Sequence, residues 1–169
     1  LCARKKETRN ELSKLIRTNN QKNNQIKRVY RGLANPNQEL SYNQIMSIKT
    51  PIQKEKHIKL GYIWSWQKEN NKKSLKALTH IKLLERRKNQ DLLEIIIETG
   101  RPHQIRIHLA SINTPLIGDP LYKLNECIST SKRPGDGGNF LHSHRLENIL
   151  INNKYYTFEA LPPKSLQIN

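Results

Sequence analysis

Two arginines five residues apart, Arg101 and Arg106, stand where a strand gives way to a helix. The apolar, β-branched run of Ile95-Ile96-Ile97 between Glu94 and Glu98 stops at Thr99-Gly100, and Arg101 follows. Pro102 then offers a backbone angle preset for helix. Spacing predicts a helix over His103–Ser111, with Ile105, Leu109 and Ile112 as its buried stripe. At such a turn, backbone N–H groups and the helix dipole favour an anion. The pair would hold a carboxylate from elsewhere in the protein or a nucleic-acid phosphate, and a guanidinium does so through two parallel N–H···O bonds. On the predicted helix, Arg106 shares a face with His103 and Ala110. His103 and His108 are five apart and off-face for a metal pair, so both read as hydrogen-bonded structural histidines. Gln104 reads as a side chain that satisfies buried backbone groups. No H-E-x-x-H and no nucleotide or flavin motif occurs, so neither a metal nor a cofactor is expected.

The elements that must position these residues follow from periodicity. A surface helix is predicted over Glu7–Arg17, with Leu12, Leu15 and Ile16 on one side. Strands are predicted over Ile26–Leu33, Lys73–Leu84, Leu92–Glu98 and Tyr155–Ala160, and a strand or hairpin near Lys59–Trp66. Thr18–Asn24 and Lys132–Asn139 read as loops. The second contains Arg133-Pro134-Gly135-Asp136-Gly137-Gly138 but lacks the spacing of a phosphate cradle. Residues 35–72, rich in Asn, Gln and Lys, are the least legible.

At 169 residues the chain fits one domain, with 35% apolar and 26% charged residues. Its net charge of +16 is polarised: residues 1–90 hold 22 Lys and Arg against 6 acids, whereas residues 91–169 hold 8 against 8. That asymmetry points to a polyanion partner, because each phosphate neutralised by Lys or Arg releases counterions. A membrane is disfavoured, since no apolar run approaches the ~18–20 residues of a spanning helix. Cys2 and Cys127 make no disulfide framework, as in a cytoplasmic protein with free thiols. A monomer is expected.

The segment Thr99-Gly100-Arg101-Pro102-His103-Gln104-Ile105-Arg106-Ile107-His108-Leu109-Ala110, followed by Pro115-Leu116-Ile117-Gly118-Asp119-Pro120-Leu121-Tyr122, resembles the RluA-type pseudouridine synthases. Ile26-Lys27-Arg28-Val29-Tyr30-Arg31-Gly32-Leu33-Ala34 resembles that family's K-x-Y-x-A segment, and Leu141-His142-Ser143-His144-Arg145-Leu146 its L-H-A-x-x-L strand. The resemblance covers about residues 1–34 and 72–169. It implies an α+β fold, a mixed and mostly antiparallel sheet flanked by helices, and isomerisation of uridine to pseudouridine in structured RNA. Large-subunit rRNA is favoured over tRNA as the partner.

Site residues follow from the same resemblance. Arg106 would pair with the catalytic aspartate, and Tyr30 would pack against the target uracil. Arg101, at the turn itself, would contact RNA phosphate or stabilise the turn through backbone carbonyls, and Lys27, Arg28 and Arg31 would contact RNA. Thr99, Gly100, His103, Gln104, His108, Gly118 and Asp119 would be structural, Asp119 as the turn residue before Pro120. The family's aspartate lies in H-R-L-D-x-x-T-S-G, upstream of a strand whose tail Leu1-Cys2-Ala3 resembles. Residues 1–169 are therefore expected to be the C-terminal two-thirds of a catalytic domain, truncated at the N-terminus and inactive alone. His144-Arg145-Leu146-Glu147 mimics the motif but lacks its sequel, and Asp91, Asp119 and Asp136 lie in no matching context. Arg106 is thus expected to steady an acid that this polypeptide does not itself supply. The competing expectation is an RNA-binding module without chemistry.

Overall fold

In the computed structural model, residues 4–18, 26–58, 60–66, 73–124, 138–151 and 153–169 are described. The elements are α1 (Lys6–Thr18), β1 (Lys27–Ala34), β2 (Ile45–Ile48), β3 (Ile52–His57), β4 (Gly61–Trp66), β5 (Thr79–Arg87) and β6 (Gln90–Ile97), then α2 (Gln104–Ser111), β7 (Leu141–Ile151) and β8 (Lys154–Glu159). A six-stranded sheet has the order β2-β5-β6-β1-β7-β8, and its ladders are antiparallel. A single bridge between Tyr42 and Leu83 is parallel. The β3–β4 hairpin forms a second sheet.

Alternation along the central strands divides the core in two. Ala34, Ile81, Leu83, Leu93, Ile95 and Ile97 face α2 and pack with Ile105 and Leu109. Leu33 and Leu92 cluster instead with Leu166, in the C-terminal turn Lys164–Leu166. That last segment is tied down by guanidiniums: Arg31 donates to Leu166 O at 3.2 Å, and Arg87 to Ser165 O at 2.8 Å and Gln167 O at 2.6 Å.

Helix α2 is buried on two sides, where one stripe was expected. Ile105 and Leu109 meet the large sheet, while Ile107 and Ala110 meet Ile52, Ala77, Leu121 and Tyr122 beneath the hairpin. A helix buried nearly all round sits between two layers, and its buried polar residues Gln104 and His108 are hydrogen-bonded. Each large aliphatic side chain buried there contributes roughly 2 kcal/mol.

Other boundaries also differ from expectation. The helix starts at Gln104, because its N-cap His103 has φ +56° in the left-handed region, and Pro102 lies in the preceding turn. The strand expected from Lys73 begins at Thr79. Upstream, Leu75 is in a two-bond bridge with Ile52, and the Leu78 amide donates to Thr99 Oγ1. Strand β7 runs on to Ile151 past a register shift, where Asn148 has φ +63°. Strand β2 was not foreseen. The loop 19–24, most of the loop 132–139 and both cysteines fall outside the described residues.

Candidate active site

Strand β6 delivers Thr99 and Gly100 to the foot of α2, and one connected polar network fixes the turn. Thr99 Oγ1 accepts from the Leu78 amide and donates to Gln104 Oε1 at 2.7 Å. Gln104 Oε1 also accepts from the Arg101 amide, and its Nε2 donates to Leu78 O and to Thr79 Oγ1, each at 3.0 Å. Thr79 Oγ1 lies 2.8 Å from His108 Nδ1, and His108 Nε2 donates to Thr50 O at 2.9 Å. All four hydrogen-bonding positions of the Gln104 amide are filled, as burial demands. A neutral His108 with its proton on Nε2, accepting from the Thr79 hydroxyl at Nδ1, fits this chain, and burial holds its pKa below the ordinary histidine value.

Arg106 projects from the first turn of α2 and is 12% exposed. Its Nε donates to Asp119 Oδ2 at 2.7 Å and its Nη2 to Asp119 Oδ1 at 2.8 Å. This corrects the expectation that the chain supplies no acid for this arginine. Asp119 Oδ1 also accepts from the amides of Leu121 and Tyr122, so one carboxylate closes its own turn and clamps the helix. Burial opposes the Asp119 charge, yet the Arg106 bonds and the two amides outweigh it and hold the carboxyl below the usual range. Burial likewise opposes the Arg106 charge and is outweighed by Asp119.

Tyr122, which sequence reasoning left in the turn, completes the unit. Its ring centre lies 5.0 Å from the Arg106 guanidinium, and its hydroxyl donates to Trp64 O at 2.7 Å. His103 Nδ1 lies 2.9 Å from the same hydroxyl, which accepts its proton. Burial, then Arg106, lower the His103 pKa, and burial raises that of Tyr122. Gly118 has φ +76°, and an added Cβ would lie 2.5 Å from Gly138 O, so only glycine fits before Asp119.

Strand β1 presents the remaining predicted residues. Tyr30 packs against the same cluster as Ile105 and Leu109, which puts it on the α2 side of the sheet. With Arg28, Ser143, His144, Phe158 and Glu159 it lines a groove of 320 Å³. Arg28 Nη2 donates to Glu98 O at 2.5 Å, and its Nη1 would lie 2.7 Å from a Cβ on residue 100, so Gly100 leaves room for it. Arg31 holds the C-terminal segment as described, and Lys27 is 3.6 Å from Glu147. Arg101 Nε donates to Lys76 O at 2.9 Å. Among the described residues, no group of three or more His, Cys, Asp or Glu is placed to hold a metal ion.

A family model described as RNA pseudouridylate synthase matches residues 1–111. An uncharacterized RNA pseudouridine synthase of Synechocystis is 43% identical over 89 residues, covering 52% of this chain and 29% of that protein. RNA pseudouridine synthase 5 of Arabidopsis thaliana is 36% identical over 107 residues, covering 49% and 29%. Ribosomal large subunit pseudouridine synthase D of Neisseria meningitidis is 37% identical over 99 residues, covering 57% and 24%. The chain thus matches about a quarter to a third of the length of these relatives. The solved structure of human RNA pseudouridylate synthase domain containing 4 shares the fold, with a TM-score of 0.66 at 18% identity over 96% of this chain and 66% of that one.

Proposed function

The chain belongs to the RNA pseudouridylate synthase family, and on that premise we propose that residues 1–169 carry the arginine-bearing part of a domain that isomerises uridine to pseudouridine in RNA. The observation that carries this reading is the side-on grip of Asp119 on Arg106. The grip uses Nε and Nη2 and fixes the guanidinium plane. The other N–H groups remain to hold a second carboxylate, the nucleophilic aspartate that the resemblance implies. Tyr30, on the same side of the sheet, offers its ring to the flipped-out uracil. Large-subunit rRNA is the favoured substrate, supported by one relative's name and by the +16 charge.

Residues 1–169 alone make no pseudouridine, in this reading. Of the two aspartates in the described residues, Asp119 is held by Arg106, and Asp91 by Arg86 and the Asn37 amide. Tritium release from [5-³H]uridine-labelled large-subunit rRNA tests this. The longest product of the reading frame should release tritium, and the 169-residue chain should not. Arg106→Ala in the longer product should lower the rate about 100-fold or more while changing RNA affinity little. RNA binding by the longer product without release would favour the module without chemistry and overturn the proposal.

A further inference from the structure

The hairpin of β3 and β4 lies within the stretch where the sequence is least legible, and its two faces differ sharply in chemistry. Directly opposed residues of an antiparallel pair share a face. Ile52↔Trp66, Lys54↔Trp64 and Lys56↔Tyr62 therefore line one side. Gln53, Ser65, Glu55 and Ile63 line the other. Glu55, the hairpin's sole carboxylate, is on this second side and accepts a hydrogen bond from Gln53 Nε2. The first side thus carries two ammoniums, three aromatic rings and no acid.

That side is also graded from base to tip. Ile52 is buried, Trp64 and Trp66 are half-buried against the cluster containing Ile107 and Tyr122, and Lys54, Lys56 and Tyr62 are exposed. Tyr62 is 56% exposed, and Lys54 Nζ lies 4.4 Å from its ring centre. A hollow of 340 Å³ beside the ring is lined by Lys56, His57, Ile58, Gly61 and Tyr62. An aromatic ring between cations on an open strand suits single-stranded nucleic acid, whose bases stack while its phosphates are neutralised. The hairpin base is fastened to the candidate active site, because Trp64 O accepts from the hydroxyl of Tyr122, whose ring abuts Arg106. Tyr62 is two residues along β4 from Trp64, roughly 7 Å away.

We propose that this hairpin is a docking arm for a single-stranded stretch of the RNA substrate, with Lys54 and Lys56 on its phosphates and Tyr62 stacked on a base. The proposal rests on the reading that the protein acts on RNA. The strand would lie along the exposed side and run toward Arg106.

The test is a salt titration of binding to a labelled single-stranded oligouridylate, using the longest product of the reading frame. Replacing both lysines (Lys54→Gln with Lys56→Gln) should flatten the slope of log K against log salt by about 1.4. Tyr62→Leu should weaken binding about tenfold or more with the slope unchanged, and Tyr62→Phe should bind like the parent. The pair Lys54→Arg with Lys56→Arg should keep the parental slope. A lost slope in that charge-preserving pair would mean that the lysines act through folding, and would overturn the proposal. Parental slope and affinity in the Gln pair and in Tyr62→Leu would overturn the arm and leave the RNA function standing. A parent protein that binds no RNA would overturn both.

Discussion

Arg106 has five N–H donors and uses two of them on Asp119, so its partner within the chain orients the guanidinium without exhausting it. Asp119→Asn keeps the shape but removes the charge and one acceptor oxygen. In the longest product of the reading frame it should lower kcat more than it weakens RNA binding; equal losses would remove Asp119 from the positioning role. Stability gives a second reading. The carboxyl is held below its unfolded value, near 4, so its contribution is fully present above that value and is lost as pH falls through the folded one. The melting-temperature gap between parent and Asp119→Asn should therefore be full at neutral pH and shrink below about pH 4. A gap constant down to pH 2 would show that ionisation of this carboxyl is not linked to folding. Asp119→Ala strands a largely buried guanidinium and should cost about 3–5 kcal/mol.

At the level of elements, α2 is held by packing on two sides and by the chain Thr99–Gln104–Thr79–His108–Thr50. Gln104→Leu would orphan the Arg101 amide and leave the Thr99 hydroxyl without its acceptor, while Leu78 O keeps the Glu98 amide at 3.1 Å, and should cost about 2 kcal/mol in urea unfolding. A loss under about 0.5 kcal/mol would mean that water replaces the amide. His103 and His108 both have folded pKa values lowered by burial, so the unfolded chain binds more protons just below pH 6.5. Stability should then rise with pH up to about 6.5, and His108→Gln should flatten that rise. Much of this element was legible, because the β-branched run of β6 and the motif after it are local signals. The roles of Gln104 and His108 as buried hydrogen-bonding side chains were legible too. The partner of Arg106 was not: Asp119 is 13 residues away, and its turn chemistry explained it before any long-range pairing was needed. The second buried face of α2 was hidden for a similar reason. Ile107 and Ala110 need the β3–β4 hairpin as cover, and that hairpin lies where the residues alternate too weakly to fix its pairing.

Across the whole molecule, two surface properties oppose each other. The net charge of +16 repels one copy from another, while β8 ends the sheet with all six residues exposed. Tyr155 is 55% exposed, and Tyr156 and Phe158 stack with ring centres 6.3 Å apart on a strand that has β7 on one side and no second strand among the described residues on the other. An edge of that kind is a template for pairing with a second strand. Charge repulsion is screened by salt, with a Debye length falling from about 30 Å at 0.01 M to about 10 Å at 0.1 M. Burial of aromatic surface is not weakened in that way. The 169-residue chain should therefore sediment as a monomer in dilute buffer and self-associate as salt is raised, opposite to the salt response of RNA binding. Phe158→Lys places a cation on the edge and should suppress that association with a stability change within about 0.5 kcal/mol. If sedimentation shows the same association in Phe158→Lys as in the parent, the contact lies on another surface and β8 is an edge shielded by its own twist.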